Sequence, residues 1–79
     1  MKIGENELMV AAEDALGEIN DEKTYIKICN EWEKLLYNLR SLELTTVTNK
    51  LNKFFSKNKI NLKLKNPRED SEGNLFWDK

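Results

Sequence analysis

Five polar side chains recur at spacings of three and four residues near the middle of the chain. They are Thr46, Asn49, Lys50, Lys53 and Lys57. On a helix, residues with this spacing share one face. Ammonium, amide and hydroxyl groups donate to nucleic-acid phosphates, and an asparagine or lysine on an inserted helix can read a base edge in the major groove. These five residues, the basic stripe, therefore predict a helix face suited to nucleic acid. The alternative is a face that is only solvated, since exposed faces rich in lysine are common in soluble proteins.

The charge along the chain supports this interpretation. Residues 44–68 hold seven Lys and Arg and no acidic residue, whereas residues 1–34 hold nine Asp and Glu and four Lys. The formal net charge of −1 thus hides an acidic first part and a basic second part. Such asymmetry concerns the choice of partner more than the fold.

Apolar periodicity predicts three helices that would position these side chains. The first covers about residues 5–19, the second 22–40 with Asp21 as its N-cap, and the third 45–58 with Thr45 or Thr46 as its cap. The third helix places Leu44, Val47, Leu51 and Phe54 opposite the basic stripe. The second carries the clearest apolar stripe: Tyr25, Ile28, Cys29, Trp32, Leu35, Leu36 and Leu39. We expect Cys29 and Trp32 to lie in the core.

A β-hairpin is predicted after the third helix. Residues 60–65 alternate apolar and polar, which is the period of a strand, and Asn66 and Pro67 are expected to end it. Residues 74–77 offer a second short strand after a polar tip. Lys63 and Lys65 would share one side of the hairpin and Arg68 its tip, which extends the basic surface. The predicted fold is mostly α with a small C-terminal hairpin, in a single domain spanning 1–79.

These elements carry a resemblance to a known family. The run TVTNKLNKF at 46–54, the triplet NKI at 58–60 and the segment NPRED at 66–70 resemble the recognition helix and wing of MarR-type winged-helix transcription regulators. The resemblance covers about residues 45–77. It implies a winged helix-turn-helix module that regulates transcription by binding DNA. The residues themselves favour DNA over RNA without deciding between them. The resemblance also implies that Thr46, Thr48, Asn49, Lys50 and Lys53 face the groove and that Lys63, Lys65 and Arg68 lie in the wing.

The composition argues against catalysis and against a bound cofactor. The chain has no histidine, a single cysteine and three scattered glycines. A histidine base, a Cys/His zinc site and a phosphate-cradling glycine loop are therefore all missing. The acidic residues near positions 13–22 could approach a hard cation, but we interpret them as a solvated helix face. We expect no enzyme activity, no small-molecule substrate, no cofactor and no metal.

A second hypothesis is a protein partner. An acidic helical half joined to a basic half could dock on another protein as an inhibitor, such as a phage-encoded anti-host or anti-defence factor, an antitoxin or an immunity protein. The docking surface would be the acidic first helix or the hairpin with Phe76 and Trp77, although Trp77 is better explained as core. The basic face could instead meet an acidic protein surface. A homodimer pairing acidic with basic ends is a third alternative. With no long apolar run, we expect no membrane span and a cytoplasmic protein.

Overall fold

The computed structural model describes residues 2–39 and 41–78. Six elements follow one another along the chain: β1 (Lys2–Gly4), α1 (Glu5–Leu16), α2 (Glu22–Tyr37), α3 (Leu44–Lys57), β2 (Lys65–Glu69) and β3 (Leu75–Asp78). The predicted architecture of three helices followed by a small C-terminal hairpin is confirmed. No helix within the described part of the chain is both long and apolar enough to cross a membrane.

The helix bounds differ from the sequence prediction at several ends. α1 stops at Leu16 because a turn follows, in which the Ile19 amide donates to the Leu16 carbonyl at 3.1 Å. α2 stops at Tyr37, and Arg40, its predicted end, lies outside the described residues. α3 begins at Leu44 with Glu43 as its N-cap, so neither Thr45 nor Thr46 is the cap. Leu44 packs against the core, which favours this earlier start.

The N-terminal strand was not predicted. β1 pairs antiparallel with β3, which also pairs with β2, so that the sheet order is β1-β3-β2. Ile3 lies opposite Trp77 in this sheet, and the two side chains are 1% and 0% exposed. The three residues of β1 are too few to show an alternating pattern. The strand forms by pairing with β3, which lies near the other end of the sequence.

The prediction of a strand over residues 60–65 is wrong, as is its predicted end at Asn66. Residues 60–64 form no ladder, and β2 begins at Lys65 and continues through Pro67. The register of β2 shifts between Lys65 and Arg68, and Asn66 has a φ of 48°, a conformation that asparagine tolerates. Pro67 is accommodated because β2 is an edge strand. The apolar alternation in residues 60–65 correctly indicates burial on one side, because Leu64 is buried. It does not indicate strand pairing.

The core joins the three helices to the inner face of the sheet. At its centre Trp32 stacks on Phe54 with ring centroids 5.4 Å apart, and Phe55 meets both rings at 6.0 and 5.8 Å. Trp32 is buried as predicted, while Cys29 is a partly buried free thiol. Tyr25, predicted on the apolar stripe, is 41% exposed, which corrects that assignment. The buried hydrophobic residues of the described chain are Ile3, Leu8, Ala12, Leu16, Ile28, Trp32, Leu39, Val47, Leu51, Phe54, Phe55, Leu64, Leu75 and Trp77.

Candidate nucleic-acid interface

The basic stripe lies on one exposed face of α3. All five of its members, Thr46, Asn49, Lys50, Lys53 and Lys57, are exposed to solvent. The opposite face buries Val47, Thr48, Leu51, Phe54 and Phe55. Burial of this apolar face fixes the rotation of the helix about its axis. The rotation in turn holds the five polar side chains together on the outside.

One side of the stripe borders α2. Lys57 Nζ lies 3.5 Å from Glu31 Oε2, and their side chains are 60% and 37% exposed. A shallow depression of about 350 Å³ opens at this border. Its lining consists of Glu31, Leu35, Lys50, Lys53, Phe54 and Lys57. Three ammonium groups and one carboxylate thus share a concave surface over an apolar floor.

The other side of the stripe borders the chain that leads into β2. The Asn52 side chain makes two hydrogen bonds with the backbone of Leu64: Nδ2 donates to the carbonyl at 2.9 Å, and Oδ1 accepts from the amide at 2.7 Å. This pair of bonds replaces the strand partner that Leu64 lacks. Because Lys63 and Lys65 flank Leu64 and are both exposed, Asn52 ties two further cations to the side of α3.

Arg68 is held differently from the lysines. It lies on β2, where its guanidinium donates to Asp78 Oδ1 at 2.7 Å, and the Asn66 amide donates to Asp78 Oδ2 at 3.1 Å. The Asn66 hydrogen bond and the Arg68 charge lower the pKa of Asp78. Arg68 is exposed, but its charge is balanced by Asp78. It therefore offers less net positive charge than its sequence position suggested.

Two of the residues considered for contacts with a partner belong to the core. Thr48, which the resemblance placed towards the groove, is 5% exposed. Its hydroxyl donates to the Leu44 carbonyl at 2.7 Å and accepts from Trp77 Nε1 at 2.8 Å. Trp77 is fully buried, which removes it as an interface anchor. The Trp77 side chain can be fully buried because its indole N–H donates a hydrogen bond to the Thr48 hydroxyl.

The tip of the hairpin is organised by one carboxylate. Asp70 Oδ1 accepts from the amides of Glu72 and Asn74 at 2.9 and 2.8 Å, and these bonds lower the pKa of Asp70. Gly73 completes the turn with a φ of 85°, which glycine adopts without strain. The tip thus has a defined conformation.

Sequence reasoning missed Glu31 and Asn52. Glu31 lies on a different helix from the stripe, so no spacing within the sequence links it to Lys57. Asn52 follows the stripe residue Asn49 by three positions, and only the folded path of residues 60–64 assigns it a structural role. Within residues 2–39 and 41–78, no three His, Cys, Asp or Glu side chains converge as a metal site, including the acidic residues near positions 13–22.

Comparison with family models, curated proteins and solved structures gives no match for this chain. Its function therefore has to be inferred from the side chains themselves.

Proposed function

We propose that the protein is a small non-enzymatic module that binds duplex DNA through α3 and acts in regulation. The observation that carries the proposal is the exposure of Thr46, Asn49, Lys50, Lys53 and Lys57 along one face of α3 while the opposite face is buried. Because the core packs only against the buried face, a ligand can bind the stripe without disturbing the core.

The dimensions of α3 suit a DNA groove. The stripe runs from position 46 to position 57, about 16 Å along the helix axis at ~1.5 Å per residue. An α-helix is about 10–12 Å across with its side chains, and the major groove is about 12 Å wide. The three lysines, which occupy the part of the stripe from position 50 to 57, can therefore meet phosphates while Asn49 faces base edges.

Neighbouring residues enlarge the same positive surface. Lys63 and Lys65 are exposed on the segment that Asn52 ties to α3. The arrangement of a basic helix beside a basic segment and a hairpin is what the winged-helix resemblance implies. In this proposal α3 supplies the main contacts and Lys63 and Lys65 add flanking phosphate contacts.

The test is a titration of duplex DNA at several salt concentrations. Each phosphate neutralised by a lysine should contribute about −0.9 to the slope of log K against log salt. The variant K50Q/K53Q/K57Q is expected to lose most of its affinity and between about two and three such contributions, because Lys57 also pairs with Glu31. A matched control, K23Q/K27Q/K34Q, removes the same charge from exposed lysines of α2 and should bind nearly as wild type.

Two results would overturn the proposal. One is the absence of any shift with duplex DNA at low salt, and the other is an equal loss in both triple variants. RNA of the same sequence serves as a second ligand, and tighter binding of RNA would contradict the preference for DNA.

Exposed apolar side chains favour a second candidate function, docking on a protein as an inhibitor. Val10 on α1 and Ile26 on α2 are 57% and 52% exposed, and Tyr37 at the end of α2 is 87% exposed. Isolation from the native host should then recover one partner, which E7K/E13K/E18K should lose through charge reversal on α1 and the turn that follows it. Recovery of the same partner by both proteins would contradict this candidate.

A further inference from the structure

Glu31 brings a negative charge into a surface that is otherwise basic. The chain from 44 to 68 contains no acidic residue, so a carboxylate can reach the stripe only from another element. Glu31 does so from α2, and it is the one acidic side chain in the described lining of the depression that also contains Lys50, Lys53 and Lys57.

We propose that Glu31 limits the affinity of the basic stripe by competing with nucleic-acid phosphate for Lys57. This inference rests on the proposed function, because it needs the stripe to bind a polyanion. In this role, Glu31 sets both the affinity for the polyanion and the number of lysine–phosphate contacts.

The position of Glu31 is fixed by the core. Ile28 and Trp32, on either side of it in α2, are 8% and 4% exposed. Trp32 also stacks on Phe54 of α3, so the backbone that carries Glu31 is anchored to the helix that carries the stripe. The carboxylate can rotate about its side-chain bonds but cannot leave the border of α2 and α3.

The ion pair itself is exchangeable. At 3.5 Å, with both partners partly exposed, it is a solvated surface contact rather than a buried one. Surface pairs of this kind contribute little, so a phosphate can displace Glu31 at a small cost. After displacement the carboxylate still lies beside Lys50 and Lys53 and repels the phosphates that approach them.

The test compares E31Q with E33Q. Both remove one carboxylate from α2 and raise the net charge equally, but Glu33 does not line the depression. Titration of the same DNA duplex should show E31Q binding up to about fivefold more tightly than wild type at low salt, the upper end for a surface ion pair. Its salt slope should steepen by up to about 0.9 as Lys57 becomes fully available to phosphate. E33Q should show the wild-type slope.

A second pair of variants separates a local effect from a general change of charge. In a K57Q background, the gain from E31Q should shrink because the competed lysine is gone. Unchanged urea midpoints for E31Q and E33Q would establish that binding differences do not come from unfolding.

The failure of this inference is distinguishable from that of the proposed function. Equal affinities for E31Q, E33Q and wild type, with binding lost in K50Q/K53Q/K57Q, would overturn the role of Glu31 alone. An equal gain in E31Q and E33Q would likewise overturn it, since that result reflects net charge. Binding that survives in K50Q/K53Q/K57Q would overturn the proposed function first.

Discussion

The two faces of the fourteen-residue helix α3 differ in burial and in charge. The inner face carries two phenylalanines, packs against Trp32 of α2 and Trp77 of the sheet, and is nearly inaccessible to solvent. The outer face carries three lysines that make a single ion pair with the rest of the described chain, from Lys57 to Glu31. Changes on the inner face should therefore alter stability, whereas changes on the outer face should alter binding and leave the fold intact.

The largest expected effect belongs to the inner face. Phe55→Ala removes a fully buried ring that contacts Trp32 and Phe54. Such truncations cost about 3–5 kcal/mol, a large share of the roughly 4–12 kcal/mol expected for a domain of this length. Urea denaturation followed by far-ultraviolet circular dichroism measures the loss. Lys50→Gln, on the outer face, should change the free energy of unfolding by less than about 0.5 kcal/mol.

Thr48→Val tests whether Thr48 belongs to the inner face. Valine keeps the shape but removes the acceptor for Trp77 Nε1, so the indole N–H is left buried without its partner. The expected loss of stability is about 1–3 kcal/mol, with DNA affinity retained once the protein is folded. Urea denaturation and a DNA titration measure the two quantities. A loss of affinity at full stability would instead place Thr48 in the interface, as the family resemblance implies.

Asn52→Ala tests the edge between the two faces. It removes both hydrogen bonds to the Leu64 backbone, which we expect to cost about 1–2 kcal/mol. DNA affinity should also fall slightly, because Lys63 and Lys65 are no longer tied beside α3. Asn49→Ala removes the same amide from the exposed face and is the matched control. Its urea midpoint should stay at the wild-type value, and equal midpoints for the two variants would contradict the role of Asn52.

The smallest expected effect concerns acid and a carboxylate of the hairpin rather than α3. The pKa of Asp78 is lowered in the folded protein by the Asn66 hydrogen bond and by Arg68. Its stabilising contribution is therefore complete above its ordinary pKa of 3.8 and is lost as pH falls through the lower folded value. Urea midpoints measured from pH 5 downwards should fall less steeply for Asp78→Asn than for wild type. Glu18→Gln, in the turn after α1, is the control and should follow the wild-type curve.

Periodicity in the sequence separates the two faces of α3 but does not predict every buried residue. The helix period in residues 44–57 correctly separated Val47, Leu51 and Phe54 from the five members of the stripe. It did not identify Thr48 as buried, because the residue is polar and only the approach of Trp77 explains its position. The strand period in residues 60–65 correctly predicted burial of Leu64 but gave a strand that begins too early. The alternation of apolar and polar residues predicts which side of an extended segment is buried. A β-ladder also requires a partner strand long enough to pair with that segment.

The charge pattern along the sequence also differs from the charge distribution of the folded surface. The sequence showed that residues 44–68 are uniformly basic, yet the charges that moderate this surface come from elsewhere. Asp78 balances Arg68 across the hairpin, and Glu31 reaches Lys57 from a position 26 residues earlier. A count of charges along the chain therefore overstated the positive surface, since opposite charges from distant segments meet only after folding.

By itself the sequence determined the three helices, the order of helices and hairpin, and the outward placement of the basic stripe. Each follows from local periodicity, which decides which side of an element can be buried. Only the tertiary structure decided that β1 pairs with β3, that Asn52 holds Leu64, and that Glu31 sits beside Lys57. These contacts join residues 12 to more than 70 positions apart, and no local pattern encodes a partner that is brought close by the packing of other elements.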